Sequence, residues 1–173
     1  MKMLSLFHAA ALAALLIVPA GRAQEAPKPG PEHDVLKKME GKWDLTMKAG
    51  GTDNKGSVSW KMELGGMWLA GNLESEMFGT KFTGKSLDPY DTAKKKYVSV
   101  WADSMSTSPM LMEGTYDKEK KTMTMAGEGP GMDGKPTKYR STSTMENDDT
   151  INFDMYMGDG KEPAFTIINK RKK

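Results

Sequence analysis

Three groups of residues in this sequence have the types and spacing to do chemistry. The first is methionine, of which the chain holds 16. Met110 and Met112, Met123 and Met125, and Met155 and Met157 stand two apart, so each pair would share one face of a strand. Such a set can fill a core with adaptable side chains or form a deformable pocket for an apolar ligand. It could also ligate Cu(I) through thioethers, which requires three or more sulfurs to converge on one point. The second group is the stretch KYVSVWADS, where Tyr97, Ser99, Trp101 and Asp103 alternate with Val98, Val100 and Ala102. Facing inward, Trp101 and Asp103 would supply an apolar wall with one fixed acceptor, the usual makeup of a small-molecule pocket. With the valines inward, Trp101 becomes a rim aromatic; the larger gain from burying an indole favours the first orientation. The third is Tyr139-Arg140. An inward Arg140 needs a carboxylate partner such as Asp103, Asp154 or Glu113, and an outward one avoids the cost of a buried charge.

Paired carboxylates occur at Glu74 and Glu76, on the strand face that also carries Asn72 and Trp68. General acid and base work would require burial to separate their pKa values, and opposite Leu69 and Leu73 they are expected to be solvated. Other chemistries lack their residues. With no cysteine, and with His33 the one histidine beyond the first 23 residues, neither a zinc site of ordinary composition nor a central Ser-His-Asp triad is expected. No predicted strand offers a histidine to a haem. Gly127-Glu128-Gly129-Pro130-Gly131 lacks the lysine and following helix of a phosphate loop. The sequence therefore predicts no cofactor and no metal, and it leans away from an enzyme.

The elements that must position these residues begin after a targeting segment. Met1-Lys2, an apolar run from Ala9 to Val18, and Pro19-Ala20-Gly21-Arg22-Ala23 read as a secretory signal cleaved near Ala23. The run is shorter than the roughly 20 residues a membrane-spanning helix needs. Cleavage predicts a periplasmic or secreted protein without stable membrane insertion. It also removes Lys2 and Arg22, so that 25 basic residues become 23, equal to the 23 acidic ones. A nucleic-acid partner loses its electrostatic support. Residues 24–31, QEAPKPGP, are expected to be a disordered leader, and 32–173 a single domain. The sequence leaves the oligomeric state open.

From Glu32 to Glu40 the apolar residues Val35, Leu36 and Met39 recur at helical spacing, and thereafter the period is two. Trp43, Leu45 and Met47 alternate with polar residues, as do Val58, Trp60, Met62 and Leu64. Turn chemistry recurs at Gly50-Gly51, Gly65-Gly66, Phe78-Gly79-Thr80, Asp88-Pro89-Tyr90-Asp91, Ser106-Thr107-Ser108-Pro109, Asp117-Lys118, Gly129 to Gly134, Asn147-Asp148-Asp149 and Gly158-Asp159-Gly160. Those nine signals imply ten strands in neighbouring hairpins. The expectation is an all-β fold: an antiparallel up-and-down barrel of about ten strands, with the short N-terminal helix closing one end. An open sandwich would satisfy the same strand count.

The helix followed by Gly41-x-Trp43 at the head of the first strand resembles the entry motif of lipocalin and calycin barrels. The resemblance implies that Gly41 permits a tight backbone approach, that Trp43 fills the barrel floor, and that a basic residue of the last strand, Lys170 or Arg171, stacks on the indole. Arg171 is taken here as that residue. A narrower resemblance runs through PGPEH, GKWDL, DPYDTAKKKYVSVWADSMST, EGTYDKEKKTMTM, KYRS and DDTINFDMYM. Together these are similar to an exported bacterial family known as domain of unknown function 1579, generally placed among lipocalin-like barrels, and imply no established activity.

The leading expectation is an exported barrel that holds or carries a small apolar or amphipathic molecule. Its predicted wall comprises Trp60, Trp101, Asp103, Met112, Met125, Tyr139, Arg140 and Phe153, around a cavity of roughly 300 Å³ or more. Two alternatives stand beside it: a small-molecule enzyme using Asp103, Tyr139 and Arg140 within hydrogen-bond reach in one pocket, and methionine-based Cu(I) handling.

Overall fold

The computed structural model describes residues 26–77, 79–131 and 133–173. The expected signal peptide lies outside the described residues. Among the described residues a short α-helix, α1 (His33–Met39), leads into ten strands: β1 (Gly41–Ala49), β2 (Thr52–Glu63), β3 (Trp68–Met77), β4 (Thr80–Asp91), β5 (Lys96–Asp103), β6 (Met110–Asp117), β7 (Thr122–Pro130), β8 (Pro136–Asn147), β9 (Thr150–Met157) and β10 (Phe165–Arg171). Each strand pairs antiparallel with the next, and β1 pairs with β10 from Trp43↔Arg171 to Ala49↔Phe165, closing the barrel. Closure leaves no open edge, which settles the choice between barrel and sandwich.

Alternation decides which side chains enter. Trp43, Leu45 and Met47 are buried on β1, while Lys42, Asp44 and Lys48 on its other face are exposed. Ile151 and Met155 of β9 and Met145 of β8 are buried as well. One departure from the expected strand breaks matters for the site. Asp88-Pro89-Tyr90-Asp91 is not a turn; it is the last part of β4, and the chain reverses after it, between Asp91 and Lys96. Proline has no N–H to give a ladder, and the β4–β5 pairing skips from Leu87↔Val100 to Tyr90↔Tyr97, so the strand continues past Pro89 with its ladder interrupted there.

The helix caps the end at which β1 begins. Its capping end is tied by Glu40, whose carboxylate accepts the Met62 amide at 2.8 Å. Leu36 and Leu69, both almost fully buried, pack beneath it with Tyr97. Trp43 is completely buried and donates its indole N–H to the Met39 carbonyl at 3.0 Å. The Arg171 guanidinium sits 4.1 Å above the indole ring and donates to the carbonyls of Glu40 (2.6 Å), Lys38 and Asp148 (2.8 Å each). Gly41 has φ +123°, and a Cβ there would lie 2.9 Å from the Arg171 guanidinium, so both backbone and space require glycine. Lys170, the other candidate for the indole, donates instead to Thr150 Oγ1 at 2.9 Å.

Candidate functional site

With α1 at one end, the connections β1–β2, β3–β4, β5–β6, β7–β8 and β9–β10 lie at the other, the mouth of the barrel. Of the wall residues expected from the sequence, Trp60, Trp101, Asp103, Met112, Met125, Tyr139 and Phe153 share strand faces with buried or core-packed neighbours and point into the barrel. Arg140 is the correction. It is exposed on the outer wall, 3.9 Å above the Tyr156 ring, because Tyr139 beside it takes the inward position and the guanidinium thereby stays in water.

The mouth is aromatic and soft. Phe82 stacks on Trp101 at 6.4 Å between centroids, and the Trp101 indole donates to Asp103 Oδ2 at 2.8 Å. The indole lies flat across Gly84, where a Cβ would meet it at 2.2 Å. Asp103 also accepts the Met105 amide at 2.9 Å, which fixes its carboxylate on the rim. Met112, Met155 and Tyr139 form a buried cluster against which Met110, Met125, Met157, Phe153 and Phe165 pack. Tyr139 donates its hydroxyl to the Pro130 carbonyl at 2.7 Å. Burial, and after it the Asp103 charge, raises its pKa. The three residues of the enzyme alternative are thus not brought together: Arg140 is outside, and Asp103 and Tyr139 each bond to another partner.

Toward the helix end the interior becomes polar. Asp88 accepts hydrogen bonds from Ser86 Oγ at 2.6 Å and Ser99 Oγ at 2.5 Å. Burial lifts it from the ordinary 3.8 to about 6, against the opposing pull of the two hydroxyls. No ion pair reaches it among the described residues. Below it, Tyr97 donates to the Glu32 carbonyl at 2.9 Å, with Tyr90 and Tyr116 edge-on at 5.0 and 6.5 Å. Burial first, then Tyr90, pushes Tyr97 up to about 12. His33 of the helix meets the edge of Tyr90 at 6.2 Å.

The Asp88 triad was not legible as a site, since Asp-Pro-Tyr-Asp carries the composition of a turn. The available signal was parity: Asp88 stands two from Ser86 and from Tyr90, and Ser99 two from Tyr97 and Trp101. Glu74, in contrast, lies on the outer wall, where it lines a shallow depression of about 290 Å³ with Lys42, Ser57 and Lys172. A second depression of about 360 Å³ is also external, floored by Leu87, Val100 and Ala102. Both open outward; neither is the interior. Among the described residues no group of three or more His, Cys, Asp or Glu converges as a metal site, and no helix is long and apolar enough to cross a membrane.

No curated protein matches the chain. Among solved structures, the crystal structure of Rv2717c from M. tuberculosis superposes with a TM-score of 0.62 at 12% identity, covering 83% of this chain and 99% of that one. A redesigned β-barrel (16% identity, 80% of this chain, 96% of that one) and a de novo designed fluorescence-activating β-barrel (12%, 80% and 98%) each give a TM-score of 0.47. The likeness to Rv2717c is one of fold. Residues 28–172 match the family described as "Protein of unknown function (DUF1579)", and the chain belongs to that family.

Proposed function

We propose that this barrel binds a small apolar or amphipathic molecule, admitted at the mouth opposite α1. The observation that carries the reading is the state of the large inward side chains: Trp60, Phe82, Trp101, Phe153 and Phe165 are only half-buried although they face the interior of a closed barrel. A barrel packed solid would bury them. Aromatic and thioether surface around a few fixed polar groups suits a ligand of that class. The lipocalin-like character of the entry motif and export through the N-terminal signal belong to the same proposal, which places the protein in the periplasm or outside the cell.

The test is a titration with the neutral fluorophore N-phenyl-1-naphthylamine. Saturable binding at one site per chain is expected, with affinity falling about tenfold in Trp101→Ala, the loss of roughly one aromatic contact. Absence of saturation, or equal affinity in the variant, would overturn the proposal. A second reading, Cu(I) held by thioethers, is favoured by the gathering of Met110, Met112, Met125, Met155 and Met157 into one cluster. Copper analysis of protein purified after growth with Cu(I) separates the two: stoichiometric metal supports the second reading, and its absence removes it.

A further inference from the structure

Inside the described barrel the charges are unbalanced. Asp88 and Asp103 both stand on inward faces, Asp103 on the rim and Asp88 toward the closed end. The inward-facing cation of β10, Arg171, is committed to the Trp43 ring and to three backbone carbonyls at the floor. Every other Lys and Arg described on the strands points to the outer wall, among them Lys42, Lys61, Lys85 and Arg140. A ligand that travels from mouth to floor therefore passes from a rim carboxylate, between aromatic and thioether walls, to a second carboxylate with no cation beside it.

The groups around Asp88 can meet such a ligand with hydrogen bonds. Each carboxylate oxygen takes one hydroxyl proton, from Ser86 or from Ser99, and keeps a further lone pair. Gly71 faces the same spot: a Cβ there would stand 2.5 Å from Ser86 Oγ and 2.8 Å from Trp60 Nε1. Glycine at position 71 thus lets the Ser86 hydroxyl, itself bonded to Asp88, and the Trp60 indole N–H approach one backbone position at the inner end of the apolar wall.

We infer that the ligand is a cationic amphiphile, an amine carried on an apolar body, whose ammonium group pairs with Asp88 while its body lies against Trp60, Trp101 and the methionine cluster. The inference rests on the binding function proposed above and specifies its substrate class. An ammonium ion supplies what Asp88 lacks, an opposite charge with several donors in a site sheltered from water. A carboxylate-headed lipid would place like charges together and is disfavoured by the same geometry. Burial raises the acid's pKa, and an ammonium group beside it would oppose that rise.

The experiment uses three probes with one tail, 1-aminododecane, 1-dodecanol and dodecanoate, titrated calorimetrically below micelle formation at neutral pH. The amine is expected to bind at least about tenfold more tightly than the alcohol, and dodecanoate more weakly than either. Asp88→Asn should erase the advantage of the amine over the alcohol; Asp103→Asn should leave most of that advantage in place. Equal binding of amine and alcohol to the wild-type chain overturns the inference and leaves the binding function standing. Failure of all three to bind overturns both. An amine preference that survives Asp88→Asn and disappears in Asp103→Asn also overturns it. If Asp88→Asn does not fold, the side-chain carboxyl 13C resonance of Asp88 in the wild-type chain decides: it should move with the amine and stay with the alcohol, and no movement with the amine counts against the inference.

Discussion

At the scale of the residue, the position of Asp88 costs the fold through the desolvation of its carboxylate. In the unfolded chain it ionises near its ordinary 3.8, and in the barrel, desolvated, only near 6. Between those values the folded state holds the extra proton, so stability falls as pH rises and the whole penalty is present above about pH 6. The rise corresponds to roughly 3 kcal/mol, an order-of-magnitude figure. Asp88→Asn should therefore stabilise the empty protein at pH 7.5 by up to that amount and by much less at pH 4, in urea unfolding. The neighbouring titratable groups, Tyr90, Tyr97 and His33, are common to both chains and cancel in the comparison. A difference that is the same at both pH values would show that desolvation of the charge is not the cause. The residue was readable only in part: the inward faces of Trp101 and Asp103 followed from alternation and from the gain in burying an indole, whereas Asp88 was hidden because proline and aspartate signal a turn whenever local chemistry alone is considered. Arg140 posed the opposite difficulty, since a single register step exchanges the inside and outside of a strand.

At the scale of the element, the floor of the barrel is a joint among α1, the start of β1 and the end of β10. The change of period from helical to alternating marked the helix and placed Trp43 at the strand's head, and the structure puts that indole at zero exposure. Whether Lys170 or Arg171 would stack on it depended on the β1–β10 register, in which Arg171 stands opposite Trp43. The guanidinium acts here chiefly through its fork: its nitrogens donate to the carbonyls of Lys38, Glu40 and Asp148, all within 2.8 Å. A lysine keeps the charge and loses that planar geometry. Arg171→Lys should lower stability by about 1–3 kcal/mol, with backbone carbonyls at the floor left without donors. The loss should be nearly the same at low and at high salt, because hydrogen bonds at a partly buried site are screened little. Denaturant unfolding at two ionic strengths checks this; a loss that disappears in high salt would assign the role to charge alone.

At the scale of the whole molecule, recurring turn chemistry announced the number of strands, but ring closure had to come from the pairing of segments more than a hundred residues apart. Local composition carries no record of that contact. In the structure seven residue pairs, from Trp43↔Arg171 to Ala49↔Phe165, join the first strand to the last. On that seam Thr46↔Ile168 and Lys48↔Thr166 face outward, and Leu45↔Asn169 and Met47↔Ile167 face the core. Removing residues 165–173 would free both β1 and β9 as edges and expose Leu45, Met47 and Ile151, three buried core residues, along the gap. The shortened chain is expected to lose cooperative unfolding and to associate, seen as a broad thermal transition and large species in size-exclusion chromatography. Removing Lys173 alone should change neither, since the ladder ends at Arg171 and Lys172 already makes the last backbone bond, to the Lys42 carbonyl at 2.8 Å. If the chain ending at Ala164 kept the solution size of the full one and melted as sharply, β10 would be an accessory strand and the barrel's stability would have to reside in the nine-strand meander; the near-complete burial of Asn169 and of Leu45 opposite it, at 5% and 2% exposure, argues that it does not.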